Sequence, residues 1–546
     1  MFIEPVFGKK FFGREEVLAT LHKRVTALKG GYRQNLALTG PMLAGKSSVL
    51  RHFLMNVEDS EIIPLYIEMG EEDFNNFCMR FMGSLFYQYL KSIGERPNED
   101  FKKLKKSCRR LIPRTVGSAE QVMKALKQRK TNMAYERVLA LTSVFKEETG
   151  KSCLVILDEF HNLSNFSLRR PFQTFGKFIM VQKNTMYIVS SSQKSLLKEI
   201  LSDKLSLLFG NFEILEVNGF DNQTARSFIS DKIEDVDKAS YENIRNYLIQ
   251  ISQGSPFYLE TLANKFSEVM KRNKENADAK EHLLDTFAEL LYESSGILNQ
   301  YFSNSVNFFL EKKSRRKFIP LLIALARGNS TTKAIQDDLG RTDKDLGRKL
   351  QKLQDMDLVY NSGIFYKIDD KLFEYWLRCV YSMKTRTVVD DLDIKYLEFK
   401  RMFEEDYSRY CRFSSKSIVD VISELFSSFS GEKAKVSIKD RVLPKFEKVE
   451  VQSFGENVFQ ISGTVKTKKW VCHVKTGDIT EEYDIYNLND VRFKGERSKV
   501  IRKIFISLKG IEQNAFLLAK EQNIWVWDIQ QLNKILRLYG KFELVL

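Results

Sequence analysis

The sequence predicts an α/β chain whose N-terminal part is a parallel sheet covered by helices. Short apolar runs alternate with helical stretches from residue 1 to about 275. A glycine-bounded loop, Gly40-Pro-Met-Leu-Ala-Gly45, separates the first of these runs from a helix. A third run, Cys153-Leu-Val-Ile-Leu, is apolar at every position and ends in two acids, as a strand buried on both faces does.

The 546 residues exceed one ordinary core, so two to four domains are expected. An apolar share of 43% with 29% charged residues describes a globular chain and excludes a disordered one. No stretch reaches the ~18 consecutive apolar residues of a membrane span; the richest run is 318–326. The N-terminus lacks the basic-then-apolar pattern of an export signal, so a cytoplasmic protein with no membrane partner is the expectation. Cys78, Cys108, Cys153, Cys379, Cys411 and Cys472 are scattered without a C-x-x-C pair, which points to neither a zinc cage nor a disulfide framework. A net charge of +15 favours a polyanionic partner, nucleic acid first, against the alternative of lysine-rich solubility.

Strands are expected at 35–39, 62–68, 153–158, 185–191 and 212–217, with helices at 46–56 and 73–93 between them. The basic segment 101–130 interrupts this alternation and reads as a helical insertion, whose charge is equally that of a solvated face. The chain divides into an α/β core at 1–220, a helical lid at 221–275, a helical region ending in a hairpin at 276–385, and a helical connector with a second α/β domain at 386–546.

The segment from Gly40 through Pro41, Ala44, Gly45, Lys46, Ser47 and Ser48 fits G-x-x-x-x-G-K-[ST] behind an apolar strand. The glycines let backbone N–H groups turn inward on phosphates, and the following helix adds the positive end of its dipole. Lys46 should reach the β- and γ-phosphates of ATP and the Ser47 hydroxyl should ligate Mg²⁺. Asp158 at the end of the third strand can hold the hydrated Mg²⁺, and Glu159 can polarise the attacking water. The bland reading is a strand capped by two solvated acids. His161 either orients Glu159 or caps the turn. Ser190, Ser191 and Ser192 end the next strand, where they could sense the γ-phosphate or serve as turn residues.

With the opening Phe11-Phe12-Gly13-Arg14-Glu15-Glu16-Val17-Leu18 and the later Gly254-Ser255-Pro256-Phe257, these boxes resemble the archaeal-type ATPases, relatives of the AAA+ and STAND ATPases. The resemblance covers roughly the first 385 residues. It implies that Gly13 and Arg14 lie near the adenine and that Pro256 opens a lid helix, where a missing N–H costs nothing. Relatives often carry Leu-Tyr-Gly-Arg before the fifth strand; here the residues are Leu208-Phe-Gly-Asn211, so an arginine that assists hydrolysis would be lost, with Arg169 or Arg170 as substitutes. Slow turnover or a nucleotide-held switch would follow.

Residues 315–367 read as a winged helix: a core helix at 318–326, a second at 331–339, a third at 343–356, and a wing turn at Asn361-Ser-Gly363. Arg341, Lys344, Arg348 and Lys349 on and before the third helix are candidate DNA contacts, although Asp343, Asp345 and Asp355 share it and docking to protein is the alternative. Relatives of this kind also often end in a restriction-endonuclease-like domain, which the strands at 458–462 and 469–475 resemble. Such a site needs an Asp and a Glu-x-Lys to hold Mg²⁺. Here His473 and Gln460 or Ser462 stand in the acidic positions, leaving Lys475, so a catalytically dead domain that binds or docks is expected, with Lys475 a further candidate DNA contact.

The function implied is an ATP-hydrolysing switch that contacts DNA or a partner. A protein partner or a homo-oligomer is the second expectation after DNA. The alternatives are an ATP-regulated nuclease with a rearranged site and an interaction scaffold in which ATP is structural.

Overall fold

The structure, a computed structural model, describes residues 4–545 except 58, 71–72, 206–211, 231, 234–237, 274–277, 311, 341, 387–390, 437–438, 456 and 492–498. The chain forms two compact units, Met1–Phe220 with Ser255–Phe257, and Asp221–Gly254 with Tyr258–Leu546.

The first unit is a five-stranded parallel sheet of β1 (Asn35–Thr39), β2 (Ile62–Glu68), β3 (Ser152–Asp158), β4 (Thr185–Ser191) and β5 (Phe212–Glu216), in the order β2-β3-β4-β1-β5. All five strands start where the hydrophobic pattern places them, within a residue. Alternate side chains feed two cores. Cys153, Val155 and Leu157 join Ile63, Leu65, Tyr187 and Val189 beneath α3 (Phe74–Ser92), α4 (Phe101–Leu111), α5 (Pro113–Lys127) and α6 (Thr131–Thr149). Leu154 and Ile156 join Leu36, Leu38 and Ile188 beneath α1 (Glu15–Lys29) and α2 (Lys46–Met55) on the other face. With both faces covered, every residue of β1 and β4 is buried. The insertion expected at 101–130 is the helix pair α4 and α5; Asp100 caps α4 by accepting from Lys103 N, and Pro113 opens α5.

The second unit is helical to Arg386 apart from one hairpin, then mixed. Helices Lys312–Ala326, Thr332–Leu339 and Leu346–Asp355 precede a hairpin of β6 (Val359–Ser362) and β7 (Phe365–Ile368). The tip of that hairpin lies on the next one, β8 (Glu432–Val436) with β9 (Lys439–Leu443). Ile364 N donates to Lys433 O at 3.1 Å and Lys435 N to Ser362 Oγ at 2.9 Å. Gly363 sits at φ 62, and a Cβ there would come within 1.9 Å of Lys433 O. Only glycine permits both the turn and this contact. Arg537 from the C-terminal helix also donates to Ile368 O at 2.5 Å and Asp369 O at 2.7 Å.

The last sheet contains β10 (Lys448–Ser453), β11 (Val458–Val465), β12 (Lys468–Lys475), β13 (Lys499–Ser507) and β14 (Trp525–Asp528) in sequential order. Its first three strands are antiparallel, and β13 and β14 continue parallel to β12. One face packs Trp470, Cys472, Val474 and Trp527 into the larger core, and the other sets Val471 and Phe505 against Ile485, Leu488 and Ala515. By the period of two, His473 and Lys475 share the Val471 face. Among the described residues no helix is long and apolar enough to cross a membrane. All six cysteines are free and five are buried.

Candidate functional site

Strand order builds the site. β4 lies between β1, which leads into the glycine loop, and β3, which ends in Asp158. The loop therefore emerges beside the serines ending β4, and the acidic pair emerges on their other side. Ligands of open α/β sheets gather at these carboxyl ends.

The loop is drawn tight against the end of β5. Val217 N donates to Thr39 O at 2.7 Å, and a Cβ on Gly40 would stand 2.0 Å from Val217 O. Gly40→Ala must push the two chains apart, and it is expected to cost about 1–3 kcal/mol in stability, as overpacking does. Thermal unfolding checks it, and nucleotide affinity should fall with it. Gly45, at φ 92, turns the loop into helix Lys46–Met55. Pro41 is exposed and Ala44 buried; Ala44 N closes a turn onto Pro41 O at 3.3 Å. Ser47 is half-buried at the start of the helix, and Ser48 Oγ accepts from Val6 N at 3.0 Å.

Lys46 is buried, and its Nζ donates to Gly40 O at 3.0 Å and Pro41 O at 2.9 Å. Burial pulls its pKa below the usual lysine value, opposed by the charges of Glu159 and Asp158.

Asp158 is 1% exposed and gripped from both neighbouring strands. Tyr66 OH of β2 donates to its Oδ2 at 2.5 Å, and Ser190 Oγ of β4 donates to its Oδ1. Burial first, then the carboxylate charge, push the Tyr66 phenol well above its ordinary pKa, so Tyr66 stays a donor. Glu159 leaves the strand in the left-handed region at φ 54. Its Oε2 accepts from Ser192 N at 3.0 Å and Ser192 Oγ at 2.8 Å, and lies 3.3 Å from His161 Nδ1. His161 also meets Ser191 Oγ at 2.9 Å. Burial pushes the imidazole pKa down, with Glu159 opposing and Lys46 assisting. A neutral His161 against a carboxylate is a positioning contact.

Arg14, at φ 74 after Gly13 at φ 66, sends Nη2 to Ala44 O at 2.9 Å and Asn218 O at 2.5 Å, with its guanidinium over the Phe220 ring. The Gly13-Arg14 box therefore braces the loop directly. Pro256 is the first residue of helix Pro256–Arg272. Leu208 to Asn211 lie outside the described residues. Arg169 and Arg170 are exposed, and among the described residues neither side chain bonds to the acidic pair.

Tyr66 and the Arg14 bridge were missed by the sequence reading. A tyrosine in the run Ile62-Ile-Pro-Leu-Tyr66-Ile looks like core filling, and only the register Glu68↔Asp158 shows that it reaches the acid.

The residues singled out for DNA are differently placed. Arg341 lies outside the described residues. Lys344 is exposed; Arg348, with a side chain 89% exposed, is 3.4 Å from Asp345. Lys349 is paired with Asp343 at 2.5 Å. Lys475 is largely enclosed, donating to Asp484 at 2.7 Å and Ile479 O at 3.1 Å. Asp484, also unremarked in the sequence, is in addition the capping-box residue of helix Glu482–Asn489. His473 faces Gln460 across the β11–β12 ladder, Nε2 to Oε1 3.3 Å, and burial lowers its pKa to about 4. His473 and Asp484 line a cavity of about 310 Å³ together with Phe454, Tyr483 and Asn487. Among the described residues no three His, Cys, Asp or Glu side chains gather as a metal site.

Residues 11–262, a little under half of the chain, match the family described as an ATPase domain predominantly from archaea. No match is found among curated proteins. Solved structures similar to the chain include the Walker-type ATPase PABY2304 of Pyrococcus abyssi, at 18% identity and a TM-score of 0.49 over 68% of this chain and 97% of that one. The Aeropyrum pernix ORC2 protein in ADPNP–ADP complexes is 10% identical, TM-score 0.40, over 74% and 98%. The ORC1 protein of the same organism in complex with DNA is 14% identical, TM-score 0.36, over 67% and 92%. The strand order, the loop geometry and the family match over residues 11–262 agree on a P-loop ATPase.

Proposed function

We propose that the chain is a nucleotide-controlled switch, in which ATP bound at 40–48 is hydrolysed slowly and the second unit contacts DNA or a partner. The observation that carries the hydrolytic part is the fixed pair Asp158–Glu159, held by Tyr66, Ser190, Ser192 and His161 at the carboxyl end of the sheet, where the Lys46 loop also emerges. The donor set fits Mg²⁺, which takes one or two protein oxygens and fills its shell with phosphate and water. Ser47 Oγ and Asp158 would hold it, and the bound ion would neutralise charge on the phosphates. Lys46 exchanges its loop carbonyls for the β- and γ-phosphate oxygens. Glu159 orients the attacking water and takes its proton. Ser192, whose N–H and hydroxyl both hold Glu159, links the state of that carboxylate to the end of β4. Gly13 and Arg14 border the adenine end, and Pro256 opens the lid helix.

The helices and hairpin at 312–368 are read as a winged helix whose third helix, through Lys344 and Arg348, meets DNA or a protein. Its hairpin tip is already engaged by β8, which supports a role in relaying movement to the C-terminal sheet. That sheet is read as a nuclease-like domain without nuclease chemistry, because Lys475 is neutralised by Asp484 and the neighbouring positions are His473 and Gln460. A plasmid-nicking assay with Mg²⁺ or Mn²⁺ is expected to show no cleavage; robust cleavage lost on Lys475→Ala would overturn this part. ATPase activity measured with and without duplex DNA tests the switch. Stimulation is expected, and equal rates would leave an ATPase uncoupled from DNA.

A further inference from the structure

The chain's positive charge is unevenly spread. Residues 101–130 contain eleven Lys and Arg against one acid, Glu120, a net +10 of the chain's +15. In the structure this segment is α4 and α5, a helix pair on the ATPase unit that lies in sequence between the glycine loop and the acidic pair. Leu104 and Cys108 of α4 are buried against α3, and the cations take the remaining circumference. Lys102, Lys106, Arg109 and Arg110 are exposed on α4, and Lys124 and Lys127 on α5.

The two helices form one surface. Lys105 Nζ reaches Glu120 at 3.1 Å, and Arg109 pairs with the same carboxylate oxygen. Glu120, Lys124 and Lys127 follow the i, i+4, i+7 spacing and so share a face of α5. The single acid therefore lies at the seam, already shared by two cations, with uncompensated lysines on both sides. Two ends are less basic: Arg114 is paired with Glu147, and Glu99 and Asp100 precede α4. Among large apolar side chains only Leu111 is exposed on this pair, which argues against insertion into lipid.

A solvated face has no need of this segregation, since mixed charges keep a surface soluble without self-repulsion. We propose that the α4–α5 face binds the phosphate backbone of duplex DNA, as a second contact surface located on the ATPase unit itself. The ligand chemistry is a regular array of phosphates read without base contacts, so binding should be insensitive to sequence and steeply dependent on salt. The inference rests on charge and exposure and is independent of the nucleotide reading.

The test is fluorescence anisotropy of the full chain with a labelled 30-base-pair duplex, over a series of salt concentrations. The comparison is between wild type and a variant combining Lys106→Glu, Arg110→Glu, Lys124→Glu and Lys127→Glu. All four side chains are exposed, and retained binding of a fluorescent ATP analogue shows that the unit is folded. If each engages a phosphate, the slope of log affinity on log salt should shrink by about 3.6, from ~0.9 per contact. Between about 50 and 200 mM salt the variant should therefore lose roughly a hundredfold less affinity than wild type does. Lys344→Glu with Arg348→Glu should do less. The proposal is overturned if the fourfold variant keeps the wild-type slope, if the Lys344 and Arg348 pair alone removes binding, or if wild type ignores the duplex and prefers anionic phosphatidylserine vesicles or polyglutamate. Loss of ATP-analogue binding in Lys46→Ala with duplex affinity intact would leave this inference standing.

Discussion

Glu159→Gln is expected to lower ATP turnover by about 10²–10⁴-fold, the usual contribution of a positioned general base. The exchange keeps the size and the acceptor oxygen that meets Ser192 N and Oγ, so the loop geometry should persist. What disappears is the negative charge that draws a proton from water. Nucleotide affinity should hold or rise, because a carboxylate near the phosphates is removed. Single-turnover kinetics with bound ATP would separate the two effects. Turnover reduced less than tenfold would mean that Glu159 is a structural acceptor for Ser192 and that another group serves as base. His161 is the neighbouring candidate for such a role, but its lowered pKa and its bond to Ser191 favour holding Glu159 in place.

For Lys46→Ala the expected result is loss of binding itself. Truncating one partner of a buried, hydrogen-bonded charge pair costs about 2–5 kcal/mol, or roughly 30- to several-thousand-fold in affinity. Two features make this site fall toward the upper end. Lys46 is buried, so its charge on a phosphate would be little screened by solvent. Burial already depresses its pKa in the face of two nearby acids, and a triphosphate would add the charge that restores it. Calorimetric titration with Mg-ATP reads the loss directly. The alanine variant also strips a donor from Gly40 O and Pro41 O, so a modest drop in melting temperature should accompany it. Near-normal affinity in a folded variant would require the loop amides alone to bind the phosphates.

The legible parts of this protein are those written in local pattern. Each strand of the first sheet is a contiguous apolar run, and burial on both faces removes the ambiguity that a half-exposed strand would carry. The loop at Gly40 to Ser47 and the acids at Asp158 and Glu159 are contiguous too, since phosphate binding by backbone amides needs consecutive residues. The edges of the expected helices shift by a residue or more, as at 343–356, where the helix is Leu346–Asp355 because Asp343 is engaged by Lys349.

Contacts between distant segments were not legible. Arg14 reaches Asn218 O across 204 residues, and Asp158 is held by Tyr66 and Ser190, 92 and 32 residues away. Lys475 reads as a phosphate ligand until Asp484, nine residues on, is seen to neutralise it. The basic segment was visible as composition, but only the folding back of α5 on α4 around Glu120 turns a charge run into a face.

By itself, then, the amino-acid order determined the strands, the phosphate loop, the acidic pair and the cationic insertion, because each is encoded in neighbours along the chain. The tertiary structure alone decided which strands adjoin, which hydroxyls hold the two carboxylates, and which cations are left unpaired. Those outcomes depend on register and on charges brought together from far apart, and no local pattern carries that information.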